Sequence, residues 1–229
     1  MAQALSSAGA DLILWARDGR LLARQAAALS RQSSVLSQIV DVTRPVAVRQ
    51  AVRAAVRRFG RIDALINNAG IWGGDEALRL DRRTWDAVVR TDLTSVFFVS
   101  QAVAPVMRRR RYGKIINVAS TSGVLALPHG AAYGAAKAAL FHVTRILAVE
   151  WGPYGIRVTG VAPGLFRTDM TRELFADRRW MRRRLAQIPL RRVGEPEDLG
   201  GLAVFLASRA SDHLTGQTII IDGGASLTT

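Results

Sequence analysis

Apolar and polar positions fall in blocks along this chain. Short β-branched runs alternate with longer stretches of three-to-four-residue apolar spacing, which predicts a parallel sheet covered by helices. Asp11–Arg17 (DLILWAR) reads as the first strand, followed by a helix from about Arg20 to Arg31 and a strand over Val35–Asp41. Thr43 offers an N-cap and Pro45 a first-turn proline for the next helix. Its apolar face is Val48, Val52, Ala55, Val56 and Phe59, while Arg49, Arg53 and Arg57 mark a solvated face. Ala64–Asn67 is a short buried strand broken by Asn68-Ala69-Gly70. One long helix is predicted from Thr84 to Arg109, then a strand over Lys114–Ala119, a helix over about 131–151 and a strand over Ile156–Ala162. The stretch 164–193 is less regular. A helix over Pro196–Ala207 and a strand over Thr218–Asp222 complete the pattern. No repeat or linker interrupts it, so 1–229 are expected to form a single domain.

Composition narrows the classes. At 229 residues and 49% hydrophobic, the chain can bury a core without metal or disulfide help. It has no cysteine, which excludes a disulfide framework and cysteine-ligated zinc. His129, His142 and His213 are too scattered for a metal pair, so no metal site is expected. No apolar run approaches the ~18 residues of a membrane span, and MAQALSSAGAD lacks the features of a secretory leader. These point to a soluble cytoplasmic protein. The net charge of +14 raises nucleic acid as a partner. Yet the only lysines are Lys114 and Lys137; every other basic residue is arginine. No stacking platform or RNA motif accompanies the clusters Arg108–Arg111 and Arg182–Arg184. Arginine spread over solvated faces is the simpler account, and nucleic acid is not the expected partner.

Tyr133 and Lys137 lie four apart on a predicted helix and share a face. An ammonium group there favours phenolate and draws the tyrosine towards working pH. Ser120, at a strand end thirteen residues earlier, offers a hydroxyl to a substrate oxygen. The plain alternative is a half-buried tyrosine beside a surface lysine. Against it, this chain uses arginine wherever it merely needs charge, whereas a lysine head is compact enough to fit against a ribose hydroxyl.

Taken together, Asn67-Asn68-Ala69-Gly70, Ser120, Tyr133-Gly-Ala-Ala-Lys137, Pro163-Gly164 with Thr168, and Asp222-Gly223-Gly224 resemble the short-chain dehydrogenase/reductase family over residues 2–224. The resemblance implies a Rossmann-type doubly wound parallel sheet in three α/β/α layers. It also implies an NAD(P)-dependent oxidoreductase interconverting a secondary alcohol and a ketone. By the same resemblance Tyr133 is the acid/base, Lys137 binds the nicotinamide ribose and tunes Tyr133, and Ser120 orients the carbonyl. Asp92 stands where the family usually has an asparagine that holds a water of a proton relay; aspartate accepts only and adds charge. Implied cofactor contacts are Asp41 and Val42 near the adenine, Asn67, Ala69 and Gly70 on the adenosine side, and Pro163, Gly164 and Thr168 with Tyr133 and Lys137 at the nicotinamide end. Ala16 replaces the acid expected for a 2′-hydroxyl and Arg17 follows it, which suits a 2′-phosphate. NADP(H) is therefore favoured over NAD(H), although Asp18 keeps NAD(H) open.

The family's opening strand and glycine-rich turn are not in the sequence. The first strand of the sheet is expected to be missing, with two strands left short of a partner and the pyrophosphate without its cradle. A catalytically impaired relative that acts as a binding or scaffold protein is the alternative. The sequence resembles both 3-oxoacyl-(acyl-carrier-protein) reductases and gluconate-type sugar-acid dehydrogenases. Leu165, Phe166, Met170, Leu174, Phe175 and Trp180 suit an acyl chain or ring, while the nearby arginines suit a carboxylate or phosphate. Arg108–Arg111 offer a dock for an acidic acyl carrier protein. The apolar run Val96–Val99 exceeds what one face against a sheet requires, and the resemblance implies that this helix and the helix over 131–151 pair across a two-fold to give a homodimer or homotetramer.

Overall fold

The computed structural model describes residues 1–228. Six parallel strands are present: β1 (Leu12–Ala16), β2 (Val35–Ile39), β3 (Ala64–Asn67), β4 (Gly113–Val118), β5 (Ile156–Pro163) and β6 (Thr218–Ile221). The helices are α1 (Ala2–Ser7), α2 (Gly19–Leu29), α3 (Pro45–Phe59), α4 (Arg82–Val89), α5 (Ser95–Arg110), α6 (Ala131–Trp151), α7 (Arg178–Gln187) and α8 (Gly200–Ala207). No described helix is long and apolar enough to cross a membrane.

The strand ladder is in two pieces. β1 pairs with β2, and β3-β4-β5-β6 form a second sheet. Thus β1 and β3 each have a single partner strand among the described residues. Side chains join the pieces: Ile13, Trp15 and Val40 pack in one cluster with Leu65, Ile115 and Val158. The alternation of a strand explains the layers. Ile115 faces Val48, Val103 and Leu147 of α3, α5 and α6, whereas its neighbour Ile116 faces Leu206 of α8. Both isoleucines are wholly buried. Helix α1 packs on α8. With helices on both faces, the fold is the doubly wound α/β arrangement.

The structure corrects three local expectations. Thr43 is not a helix cap. Its N–H and hydroxyl both donate to Asp41 Oδ1, at 2.9 and 2.7 Å, which closes an Asx-type turn and moves the cap position to Arg44. The long helix is not continuous: α4 and α5 are joined by a π-helical turn over Arg90–Thr94. The wider turn carries Asp92 inward, where it is fully buried. Finally, Val96 and Val99 are buried and Phe97 packs on the core, so only Phe98 of that run remains exposed. The irregular stretch contains a 3₁₀ segment, Asp169–Ala176, opened by a capping box between Thr168 and Thr171, and α7, capped by Asp177.

Candidate active site

Ser120, Tyr133, Lys137 and Asp92 meet beyond the carboxyl end of β4. Ser120 caps a 3₁₀ turn, Thr121–Gly123, and its Oγ accepts from Ser122 N–H at 3.1 Å. Gly123 permits this turn to lie on α6, since a Cβ there would stand 2.9 Å from the Lys137 carbonyl oxygen. That contact brings Ser120 alongside the first turn of α6, where Tyr133 sits. Lys137, one turn on, is buried; its Nζ donates to the Val118 carbonyl at 2.8 Å and lies 3.2 Å from Asp92 Oδ2. The same Nζ is 5.4 Å from the centroid of the Tyr133 ring. Asp92 Oδ1 accepts the Ile71 N–H at 2.8 Å, while Oδ2 receives no well-aligned hydrogen bond, so its attraction to Lys137 is chiefly Coulombic. Gly70 is needed at this approach, because a Cβ there would fall 2.7 Å from Asp92 Oδ2.

Burial decides the electrostatics. It pushes the Asp92 carboxyl up and the Lys137 ammonium down, and each charge opposes the other's shift. Burial likewise pushes the Tyr133 phenol up to about 12; the Ser120 hydroxyl opposes this and the Asp92 charge adds to it. The expectation that Lys137 draws the phenol down is therefore not met. Its positive charge is matched by Asp92 before it can act on the ring.

The remaining residues divide by position. Asn67 does not present its side chain to a ligand. Its amide donates to Ser100 Oγ and Asn117 Oδ1, both at 2.9 Å, and Asn117 donates to Thr144 Oγ1 at 3.0 Å. This buried polar chain ties β3 and β4 to α5 and α6, leaving the Asn67 backbone, Ala69 and Gly70 at the strand end. Asp18 caps α2 by accepting from Arg20 and Leu21 N–H. Arg17 is exposed at the end of β1. The Asp41 carboxyl is held below its usual range, by the Thr43 hydroxyl first and by the charges of Arg17 and Arg44 more weakly. Val42 lines a groove of about 410 Å³ between α3 and α5, with Arg90 and Phe98. Pro163 ends β5, Gly164 lies tight against Asp222, with room for no Cβ, and Thr168 begins the 3₁₀ segment.

These positions fit the two ends of a dinucleotide: Arg17 and Asp41 at β1 and β2, and Tyr133, Lys137, Pro163 and Gly164 at β4 and β5. The middle does not show the usual cradle. A Cβ on Gly73 would meet Val88 and Thr84, one on Gly74 would meet the Trp72 ring, and no helix opens until Arg82. Those glycines accommodate the protein's own side chains. No cluster of metal-ligating side chains occurs among the described residues.

One residue carries no role in the sequence reading. Trp72 is exposed beside Tyr133, ring centroids 5.2 Å apart and planes at 61°. Its sequence signal is Gly74, which clears room for the indole.

The sequence profile described as enoyl-(acyl carrier protein) reductase matches residues 1–226. This chain belongs to the short-chain dehydrogenase/reductase family. Among relatives of this family, gluconate 5-dehydrogenase of Gluconobacter oxydans is 39% identical over 99% of this chain and 89% of its own. A 3-oxoacyl-(acyl-carrier-protein) reductase of Thermotoga maritima is 40% identical over 81% and 75%. A Xanthobacter autotrophicus protein named inactive 2-(S)-hydroxypropyl-CoM dehydrogenase 2 is 38% identical over 98% of both chains. The crystal structure of a Burkholderia cenocepacia gluconate 5-dehydrogenase with NADP and tartrate superposes with a TM-score of 0.95. It is 36% identical, over 100% of this chain and 90% of that one. As a member of this family the chain is an oxidoreductase.

Proposed function

We propose that this chain interconverts a ketone and a secondary alcohol with NADP(H), Tyr133 acting as acid and base. The observation that carries the reading is the convergence of Ser120, Tyr133 and Lys137 at the carboxyl ends of parallel strands, where ligands bind in such sheets. Nicotinamide, when bound, supplies or removes the hydride. The chain's own groups handle the oxygen. Ser120 donates a hydrogen bond to the carbonyl oxygen, and Tyr133 gives that oxygen its proton as the carbonyl carbon is reduced. A phenol held near 12 is fully protonated at neutral pH, which suits this donation. Lys137 holds the ribose side and Asp92 holds Lys137.

Arg17 would bind the 2′-phosphate, Asp41 and Val42 the adenine side, the backbone from Asn67 with Ala69 and Gly70 the adenosine, and Pro163, Gly164 and Thr168 the nicotinamide end. The exposed Arg17 supports NADP(H), as does the NADP in the Burkholderia relative. The decisive experiment pairs two variants. Tyr133→Phe should abolish ketone reduction, and activity within a few-fold of wild type refutes the acid/base role. Arg17→Ala should weaken NADPH far more than NADH, and equal losses refute the cofactor preference.

The substrate is a 3-oxoacyl thioester or a sugar acid. Docking of an acyl carrier protein rests on Arg109 and Arg110, because Arg108 stacks on Tyr154 at 4.2 Å and Arg111 donates to the Pro153 carbonyl. Residues 1–229 act as one cytoplasmic domain, self-associated through Phe98 on α5 and Ile146 and Val149 on α6, all exposed. Light scattering at the mass of one chain would refute the association.

A further inference from the structure

We propose that Trp72, with Val124 and Leu127, forms an apolar stacking face over Tyr133 that selects ketones bearing an aromatic or alkyl group and disfavours polyhydroxy acids. The proposal rests on Tyr133 as the reacting group and names the substrate class of that site.

The indole is fixed yet open. It is 45% exposed, a large apolar surface to leave in water, while its edge-to-face contact with Tyr133 holds it at the phenol. Two glycines shape its seat. A side chain at Gly74 would collide with the ring, and a Cβ on Gly130 would stand 3.4 Å from Trp72 Cη2. Gly130 directly precedes α6, three residues before Tyr133, so the seat and the phenol belong to one rigid junction.

The wall between Ser120 and Tyr133 has the same character. Val124 and Leu127 on it are 49% and 36% exposed. Its one ionisable residue is His129, in a left-handed conformation at φ 61°.

Charge completes the argument. A sugar acid is best held by a free cation at the end of the site that receives its carboxylate. On the segment after β5, Arg167 pairs with Glu195, Arg172 with Asp169 and Arg192 with Asp198. The Trp72 loop carries Asp75 and Glu76, which share Arg79 at 3.6 and 3.1 Å and leave one negative charge in excess. An anionic substrate meets repulsion on that loop, while Arg167, Arg172 and Arg192 are already paired with acids. Arg191 donates to the Ala186 carbonyl, and the other arginines of this region lie on α7, which packs against the 3₁₀ segment 169–176.

The test compares ethyl benzoylacetate with 5-keto-D-gluconate under NADPH, in wild type, Trp72→Ala and Trp72→Phe. Wild type should favour the aryl ketone in kcat/KM. Trp72→Ala should lose about ten- to a hundred-fold on that ketone, mostly through KM, and Trp72→Phe should recover most of it. Equilibrium dialysis of ethyl benzoylacetate against cofactor-free protein supplies a readout independent of turnover, with binding lost in Trp72→Ala and restored in Trp72→Phe. A preference for 5-keto-D-gluconate, equal losses on both substrates, or dialysis unchanged by Trp72→Ala would overturn the proposal. Turnover that survives Tyr133→Phe while the Trp72 effects hold would fail the acid/base reading alone.

Discussion

The two lysines of this arginine-rich chain lie at opposite ends of the same strand, and both are buried in ion pairs. Lys114, near the start of β4, reaches Ser211 Oγ at 2.9 Å and Asp212 Oδ1 at 2.8 Å. Lys137, beyond the strand's other end, reaches Val118 O and Asp92. The partners differ. Asp212 keeps 36% of its side chain in water, whereas Asp92 keeps none. The acids therefore shift in opposite directions. Lys114 holds the Asp212 carboxyl below its usual range, while at Asp92 burial outweighs Lys137 and pushes the carboxyl up. One pair is a tether that fastens β4 to the 3₁₀ turn Arg209–Ser211. The other is a confined charge pair beside a phenol that faces the site. Both use a compact ammonium, which differs from a guanidinium in size and hydrogen-bond geometry.

The sharpest way to break this contrast is to remove each ammonium. Lys137→Met should lower ketone reduction by about 10²–10⁴-fold, measured by steady-state NADPH oxidation. Lys114→Met should leave turnover within a few-fold and show its effect in urea unfolding instead. Loss of one partner of a buried pair costs roughly 3–5 kcal/mol, but Asp212 regains water, so about 1–3 kcal/mol is expected here. A catalytic collapse in Lys114→Met with unchanged stability would erase the distinction.

Asp92→Asn sharpens the comparison. It removes a negative charge that raises the Tyr133 phenol and frees the Lys137 charge to act on it. Tyrosinate absorbance, assigned by difference from Tyr133→Phe, should show ionisation below about 12. The rising limb of alcohol oxidation should move to lower pH, and an unchanged or raised limb contradicts this electrostatic assignment.

The smallest effect is in acid. The folded pKa of Asp212 lies below its unfolded value of about 3.8, so its contribution is full above that value and is lost as pH falls through the folded one. Asp92 has the opposite sign: its folded pKa is raised, so it costs stability once pH exceeds the unfolded value. Urea midpoints between pH 6 and 3 should fall less steeply in Lys114→Met than in wild type. They should fall more steeply in Asp92→Asn.

Much of this was legible in the chain. Tyr133 and Lys137 declare themselves because a spacing of four puts them on one helical face, and the strands follow from β-branched runs bounded by turn residues. The π turn at 90–94 was hidden, because no glycine or proline marks it and the sequence there is ordinary helix; only packing reveals the extra residue. Asn67 was placed on its strand by the apolar run before it, but the sequence could not show that its amide donates to Ser100 and Asn117, far along the chain. Thr43 was misread because Asp41, two residues earlier, competes for the same turn. The arginines near 165–195 could be counted but not paired, since Arg167–Glu195 spans 28 residues.

The two-piece ladder has a kinetic consequence. Among the described residues no ladder hydrogen bond joins β1 and β2 to the other four strands, so the connecting chain and side-chain packing in the shared core carry that junction, which should open more readily than the continuous β3-β4-β5-β6 ladder. In native-state hydrogen exchange the amides of Leu14 and Trp15 should exchange well before those of Ile115 and Val158. Arg17 and Asp41 ride on the loosely held piece, whereas Tyr133 and Lys137 ride on the firm one. A ligand gripping residues of both pieces would tie them together, and adding NADPH should then bring the two exchange rates closer.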